Sequence, residues 1–236
     1  MDVSDRQSDS FNNSAKMACR EGNLRVLREA AYLLWEDSDR KRLRCDWCEL
    51  MGATGWLTID LLEREGVVRP SGFVGLDLDV GRIEGFRQRR PDLKWVAGNL
   101  YELLDAPELT NVGVLNLDQY GSVGNKDALG DFQLVRGLVK RGLEKFGEFA
   151  LFWNQDLDAV VRRRKSRAQA LRDHADLACR ALQGCLPRRD LTSDMLLAEG
   201  SEEAVESDFV GTAGAFEIYR VSARGHRMAN LRIILR

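Results

Sequence analysis

Two acidic side chains, a glycine pair between them and an amide shortly afterwards form the densest group of chemically suggestive residues in this chain. Glu49 closes a short apolar run, Gly52 and Gly55 follow it, Asp77 closes a second apolar run, and Gly98-Asn99 ends a third. A carboxylate at a strand tip can accept two hydrogen bonds from a sugar diol, and turn glycines let the backbone approach a ligand closely. Asp77 stands 25 residues beyond Gly52, near the spacing of about 20 found in nucleotide-binding βαβ units. Strand, glycine turn, helix, strand and acid, in that order, point to a ligand of the adenosine type.

Further along, VLNLDQYGSVGN places Asn116, Asp118, Gln119 and Tyr120 at the end of a fourth apolar run. Asp118 is the candidate base or orienting group among them. Cys45 and Cys48 form a CxxC pair that could be half of a zinc site or a redox pair. Cys179 and Cys185 are spaced too loosely to complete it, so Cys48, inside an expected strand, is read as a small packing residue. The odd total of five cysteines favours reduced thiols. His174 and His226 have no patterned companion. Arg162, Arg163, Arg164, Lys165 and Arg167 are the strongest basic cluster. They read either as a solvated helix face balanced by nearby aspartates or as a phosphate-contacting patch for nucleic acid.

These residues need a scaffold, and the hydrophobic patterning supplies one. Strands are expected at 47–51, 72–78, 94–97, 112–117 and 149–153. Helices are expected at 57–65 (stopped by Gly66), 80–89 (stopped by Pro91), 126–146 (ending at Gly147) and from about 156 to 182. A short helical turn is expected at 101–104. Residues 15–40 read as a helical lead-in of one or two amphipathic helices, and residues 1–14 as a frayed terminus. Alternating strands and helices of these lengths imply a parallel sheet with helices on both faces. After an acidic stretch at 199–208, AFEIYRVSA and RMANLRIILR flank Arg224-Gly225-His226 and read as an antiparallel hairpin.

The 236 residues suit one sizeable α/β domain spanning 15–236. An apolar share of 44%, a charged share of 31% and a net charge of -2 describe an ordinary globular chain, with no global case for nucleic acid or an anionic membrane. No apolar run reaches the roughly 18 residues of a membrane helix, and the start of the chain is too polar for a signal peptide. A cytoplasmic location is the expectation.

In element order, residues 15–236 resemble the class I S-adenosylmethionine-dependent methyltransferases. The family's first motif, acid-apolar-Gly-x-Gly-x-Gly, is matched in part by Glu49-Leu50-Met51-Gly52-Ala53-Thr54-Gly55. Met51 and Ala53 stand where glycines are usual. The resemblance implies an α/β, doubly wound, mostly parallel seven-stranded sheet with an antiparallel C-terminal hairpin. It also implies S-adenosylmethionine held by Glu49, Gly52, Gly55, Asp77, Gly98, Asn99 and Leu100. Asp77 would take the ribose hydroxyls, Asn99 the adenine amino group, and Leu100 would supply a backbone donor and an apolar wall. Asn116, Asp118 and Tyr120 fall where the family's chemistry usually sits, although the two prolines of its amino-methylating members are missing. A non-enzymatic relative that keeps the fold for binding or assembly is the alternative. A nicotinamide-dependent oxidoreductase fits less well, because GATGW lacks the three-glycine fingerprint.

Overall fold

The computed structural model describes residues 13–51, 55–98, 103, 105–119, 128–156, 166–186, 192–197, 214–220 and 227–236. Its strands are β1 (Asp46–Leu50), β2 (Phe73–Asp77), β3 (Lys94–Ala97), β4 (Val112–Gln119), β5 (Phe149–Asp156), β6 (Gly214–Arg220) and β7 (Arg227–Leu235). Its helices are α1 (Asn13–Ala30), α2 (Trp56–Arg64), α3 (Val80–Arg89), α4 (Ala128–Phe146), α5 (Arg167–Leu182) and the short α6 (Ser193–Leu196). The chain is an α/β protein with a mixed, mostly parallel sheet and an antiparallel C-terminal pair.

The strands lie in the order β3-β2-β1-β4-β5-β7-β6. Pairing is parallel from β3 through β5. β7 runs antiparallel to both β5 and β6. The chain steps outward from β1 to β3 in one direction and then from β4 to β5 in the other, so the direction reverses between β1 and β4. Ligands of open α/β sheets bind beyond the carboxyl ends of the strands at such a reversal.

Side chains alternate across each strand and feed two hydrophobic clusters. Trp47, Phe73, Trp95, Val114 and Phe152 pack with Leu24, Leu27, Ile59, Leu62, Ile83 and Phe86 beneath α1, α2 and α3. Cys48, Val74, Leu115, Leu151 and Ile233 pack with Leu134, Leu138, Leu171 and Ala178 beneath α4 and α5. Trp56, Phe86 and Trp95 form an aromatic knot with ring centroids 5.0 to 5.9 Å apart. Local signals set several boundaries. Asp79 caps α3 by accepting from the Arg82 backbone N–H at 3.1 Å. Gly66 and Gly147, at φ +63° and +76°, supply the left-handed residues after α2 and α4.

Three expectations change. Of the helix expected from about 156 to 182, Asp156 belongs to β5, where Asn154, Gln155 and Asp156 pair with Asn230, Ala229 and Met228 of β7, and Arg167–Leu182 is helical with Ser166 as its cap; residues 157–165 lie outside the described residues. The lead-in is one helix followed by a loop held by a bridge between Trp35 and Leu43. Asn13 and Ser14, expected in the frayed terminus, already belong to α1; residues 1–12 lie outside the described residues. Of the turn at 101–104, only Leu103 is described.

The loop after α1 is pinned at the far end of the sheet. The buried Glu148 carboxylate accepts from the Tyr32 and Leu33 backbone N–H groups at 2.8 Å each and from Arg236 Nε at 2.7 Å. This tie fixes α1 across the sheet face that carries Glu49.

Candidate functional site

Glu49 and Asp77 end neighbouring parallel strands and point to the same sheet face, yet their surroundings differ. Glu49 is fully buried. Its Oε2 accepts from Trp47 Nε1 at 3.1 Å and Asn116 Nδ2 at 2.8 Å. Its Oε1 accepts from the Thr58 hydroxyl at 2.9 Å and lies 3.5 Å from Arg20 Nη2. Arg20 Nε in turn donates to Thr58 Oγ1 at 2.6 Å. Burial pushes the Glu49 carboxyl up from its ordinary value, while the Arg20 charge and the three donors pull it back.

This cluster continues along the inner face of α1. Lys16, Arg20, Asn23 and Leu27 follow helical spacing and are all buried. Asn23 Oδ1 accepts from Asn230 Nδ2 at 2.7 Å and Arg232 Nε at 2.9 Å. Cys19 Sγ receives Asn230 Nδ2 at 3.1 Å. A polar layer thus lies between α1 and strands β1, β4 and β7; it pairs the Glu49 oxygens, Asn23 Oδ1 and Asn230 Nδ2, while Asn23 Nδ2, Asn116 Oδ1 and Asn230 Oδ1 have no hydrogen-bond partner among the described residues.

Asp77 sits at the rim, with its side chain 9% exposed. Its Oδ1 accepts from the Asp79 backbone N–H at 2.9 Å, and its Oδ2 from Arg82 Nη1 at 2.7 Å. Beside it, Leu78 and Val80 are 60% and 58% exposed. Gly98 follows β3 and donates its N–H to the Asp77 carbonyl at 3.4 Å.

Met51 stands where a turn glycine would be expected, and its side chain lies in the core rather than in the cleft. Two glycines make room for it. A Cβ on Gly55 would fall 2.7 Å from Met51 Sδ, and one on Gly75 would fall 3.1 Å from Met51 Cγ. Gly55 also closes the β1–α2 turn by donating to the Met51 carbonyl at 2.8 Å. Met51 is therefore held by packing in the cluster beneath α1, α2 and α3.

Asn116 is brought to Glu49 and is fully buried, not at the mouth of the cleft. Asp118 lies two residues on, in β4, paired in register with Asn154; its side chain is not among those described. Gly52, Asn99, Leu100 and Tyr120, and Arg162, Arg163, Arg164 and Lys165 of the basic cluster, lie outside the described residues. Arg167 opens α5.

Cys45 and Cys48 are free, buried thiols assigned to the two opposite hydrophobic clusters, the packing role expected of Cys48. Burial, reinforced by the Asp46 charge, pushes the Cys45 thiol up to about 12. His174 is buried edge-on to Trp153, centroids 5.6 Å apart, and burial lowers its imidazole to about 3.

Sequence reasoning passed over Arg20, Thr58, Asn23, Asn230 and Arg232. A usable signal existed: polar residues occupy the same helical stripe as Leu27 in α1, and the same alternating face as Ile234 in β7. No protein-family model matches the chain, and no curated protein matches it.

Proposed function

We propose that the chain binds S-adenosylmethionine beyond the carboxyl ends of β1, β2 and β3 and transfers its methyl group to an acceptor near the end of β4. This reading takes the sheet as the seven-stranded, doubly wound arrangement of class I methyltransferases. The observation that carries it is the strand order, with its reversal between β1 and β4 and β7 inserted antiparallel between β5 and β6.

The residues at the rim fit the ligand's chemistry. Asp77 offers a carboxylate to the ribose diol. Leu78 and Val80 offer exposed apolar surface for the base on either side of Asp79. The group supplies an electrophilic methyl on a positively charged sulfur when bound, so the protein's task is to orient the acceptor and exclude water. Glu49, fixed by Arg20, Thr58, Trp47 and Asn116, enters as a rigid floor under the cleft. Asn116 then acts as a positioning residue for Glu49. Asp118 and Tyr120 are the groups proposed to orient the acceptor.

Calorimetry with S-adenosylmethionine and its demethylated product tests the assignment. Saturable binding that Asp77→Ala abolishes supports it. No binding at millimolar concentration, or binding unchanged in Asp77→Ala, would sink it. A second reading, a binding or assembly module that no longer transfers methyl groups, is favoured by the complete set of internal partners on Glu49. Cofactor binding without transfer to protein, RNA, DNA or small-molecule pools would select that reading.

A further inference from the structure

A carboxylate that is to receive both hydroxyls of a ribose needs open acceptor directions, and each Asp77 oxygen already holds one partner of the two it can accept. Oδ1 takes the Asp79 N–H, a backbone contact fixed by the turn into α3. Oδ2 takes Arg82 Nη1 at 2.7 Å, a side-chain contact that can be given up. Arg82 lies on the first turn of α3 with its side chain 46% exposed. Its Nη2 already lies 3.9 Å from Asp79 Oδ2, a carboxylate that is 55% exposed.

The guanidinium therefore has a second anion within a short rotation. Moving there frees Asp77 Oδ2 without leaving Arg82 uncompensated. Because Arg82 is exposed, water also solvates it throughout the movement, and the contact is weaker than a buried ion pair.

Resting on the reading that Asp77 receives a nucleoside, we propose that Arg82 is a specificity-setting competitor. It occupies the diol-accepting oxygen of Asp77, and a ribose must displace it toward Asp79 to bind. The site then selects ligands whose vicinal diol replaces one charge-assisted hydrogen bond with another. A nucleoside lacking the diol would have nothing with which to displace Arg82.

The test is calorimetric titration of S-adenosylhomocysteine into the full-length wild type, Arg82→Gln and Arg89→Gln, at low salt and in about 1 M salt, where the Debye length is only about 3 Å. Arg89 is an exposed residue of the same helix and controls for the loss of one positive charge. Arg82→Gln is expected to bind about 1.5- to fivefold more tightly at low salt, the range of a partly exposed ion pair. Salt should tighten wild-type binding and leave Arg82→Gln unchanged, while Arg89→Gln follows the wild type. Wild-type binding with no gain, or a loss, in Arg82→Gln overturns the proposal alone, as does an equal gain in Arg89→Gln. If none of the three proteins binds, the nucleoside reading falls and the competitor role falls with it.

Discussion

Glu49 and Asp77 lie near the ends of adjacent strands on the same face of one sheet, and they are held by different kinds of partner. Glu49 lies under α1, with three neutral donors and a guanidinium gathered around it. Asp77, at the tip of β2 on the same face, is paired with Arg82, whose side chain is 46% exposed. A carboxylate of Glu49's kind is committed to holding the fold, because it is fully buried and both of its oxygens already have two partners each. A carboxylate of Asp77's kind can exchange its partner. Burial and the kind of partner, rather than residue type, separate the two roles.

The sharpest way to break this comparison is to neutralise Glu49. Glu49→Gln keeps the size but removes the charge opposite Arg20, and replaces an acceptor by an amide donor that would face Trp47 and Asn116 or Thr58. Removing one member of a buried pair costs about 3–5 kcal/mol, and that loss is expected in chemical denaturation. A loss below about 1 kcal/mol would mean that Glu49 is no more structural than a surface acid.

His174 sharpens the contrast from the opposite face of the sheet. Burial there acts by keeping the imidazole neutral, with its pKa lowered to about 3 from 6.5. The unfolded chain takes up the proton first as pH falls. The contribution is therefore intact above pH 6.5 and drains away between 6.5 and 3, at up to about 1.4 kcal/mol per pH unit. His174→Leu should flatten the stability profile in that interval by about one proton's worth of slope. An unchanged slope would show that His174 is protonated in the fold.

The legible parts of this molecule were those written locally. α3 and β3 fall where the stop at Pro91 and the short apolar run at 94–97 place them, and the structure adds the cap at Asp79. Asp77 was legible as a strand-tip acid for the same reason. The environment of Glu49 was not, because Arg20, Thr58 and Asn116 reach it from three other elements, and Arg and Lys on a helix normally read as its wet face. The same non-local cause hid the end of β5: its polar tail, Asn154 to Asp156, is held by pairing with β7 far along the chain.

Met51 is packed against Gly75 and Gly55, and Gly75 is the place to disturb that packing. A Cβ on Gly75 would fall 2.4 and 2.5 Å from the Trp95 ring and 3.1 Å from Met51 Cγ. Gly75→Ala should therefore cost about 1–3 kcal/mol by overpacking. Combining it with Met51→Ala should recover the part due to Met51 and leave the part due to Trp95. Full additivity of the two changes in a double-mutant cycle would mean that Met51 and Gly75 are not packed against each other.

The smallest stability effect belongs to Asp77 and completes the comparison. Asp77→Asn retains an oxygen for the Asp79 N–H and loses only the charge that holds Arg82, whose guanidinium still has Asp79 nearby. With one partner 46% exposed, the expected loss is under about 1 kcal/mol, several-fold smaller than for Glu49→Gln although both changes are isosteric acid-to-amide replacements. Nucleoside binding should invert that ranking per molecule of folded protein, with Asp77→Asn the more damaging because its amide cannot accept both hydroxyls through a charged group. Equal stability losses for the two variants would place Asp77 in the same structural class as Glu49, and would remove the physical ground for assigning it to a ligand.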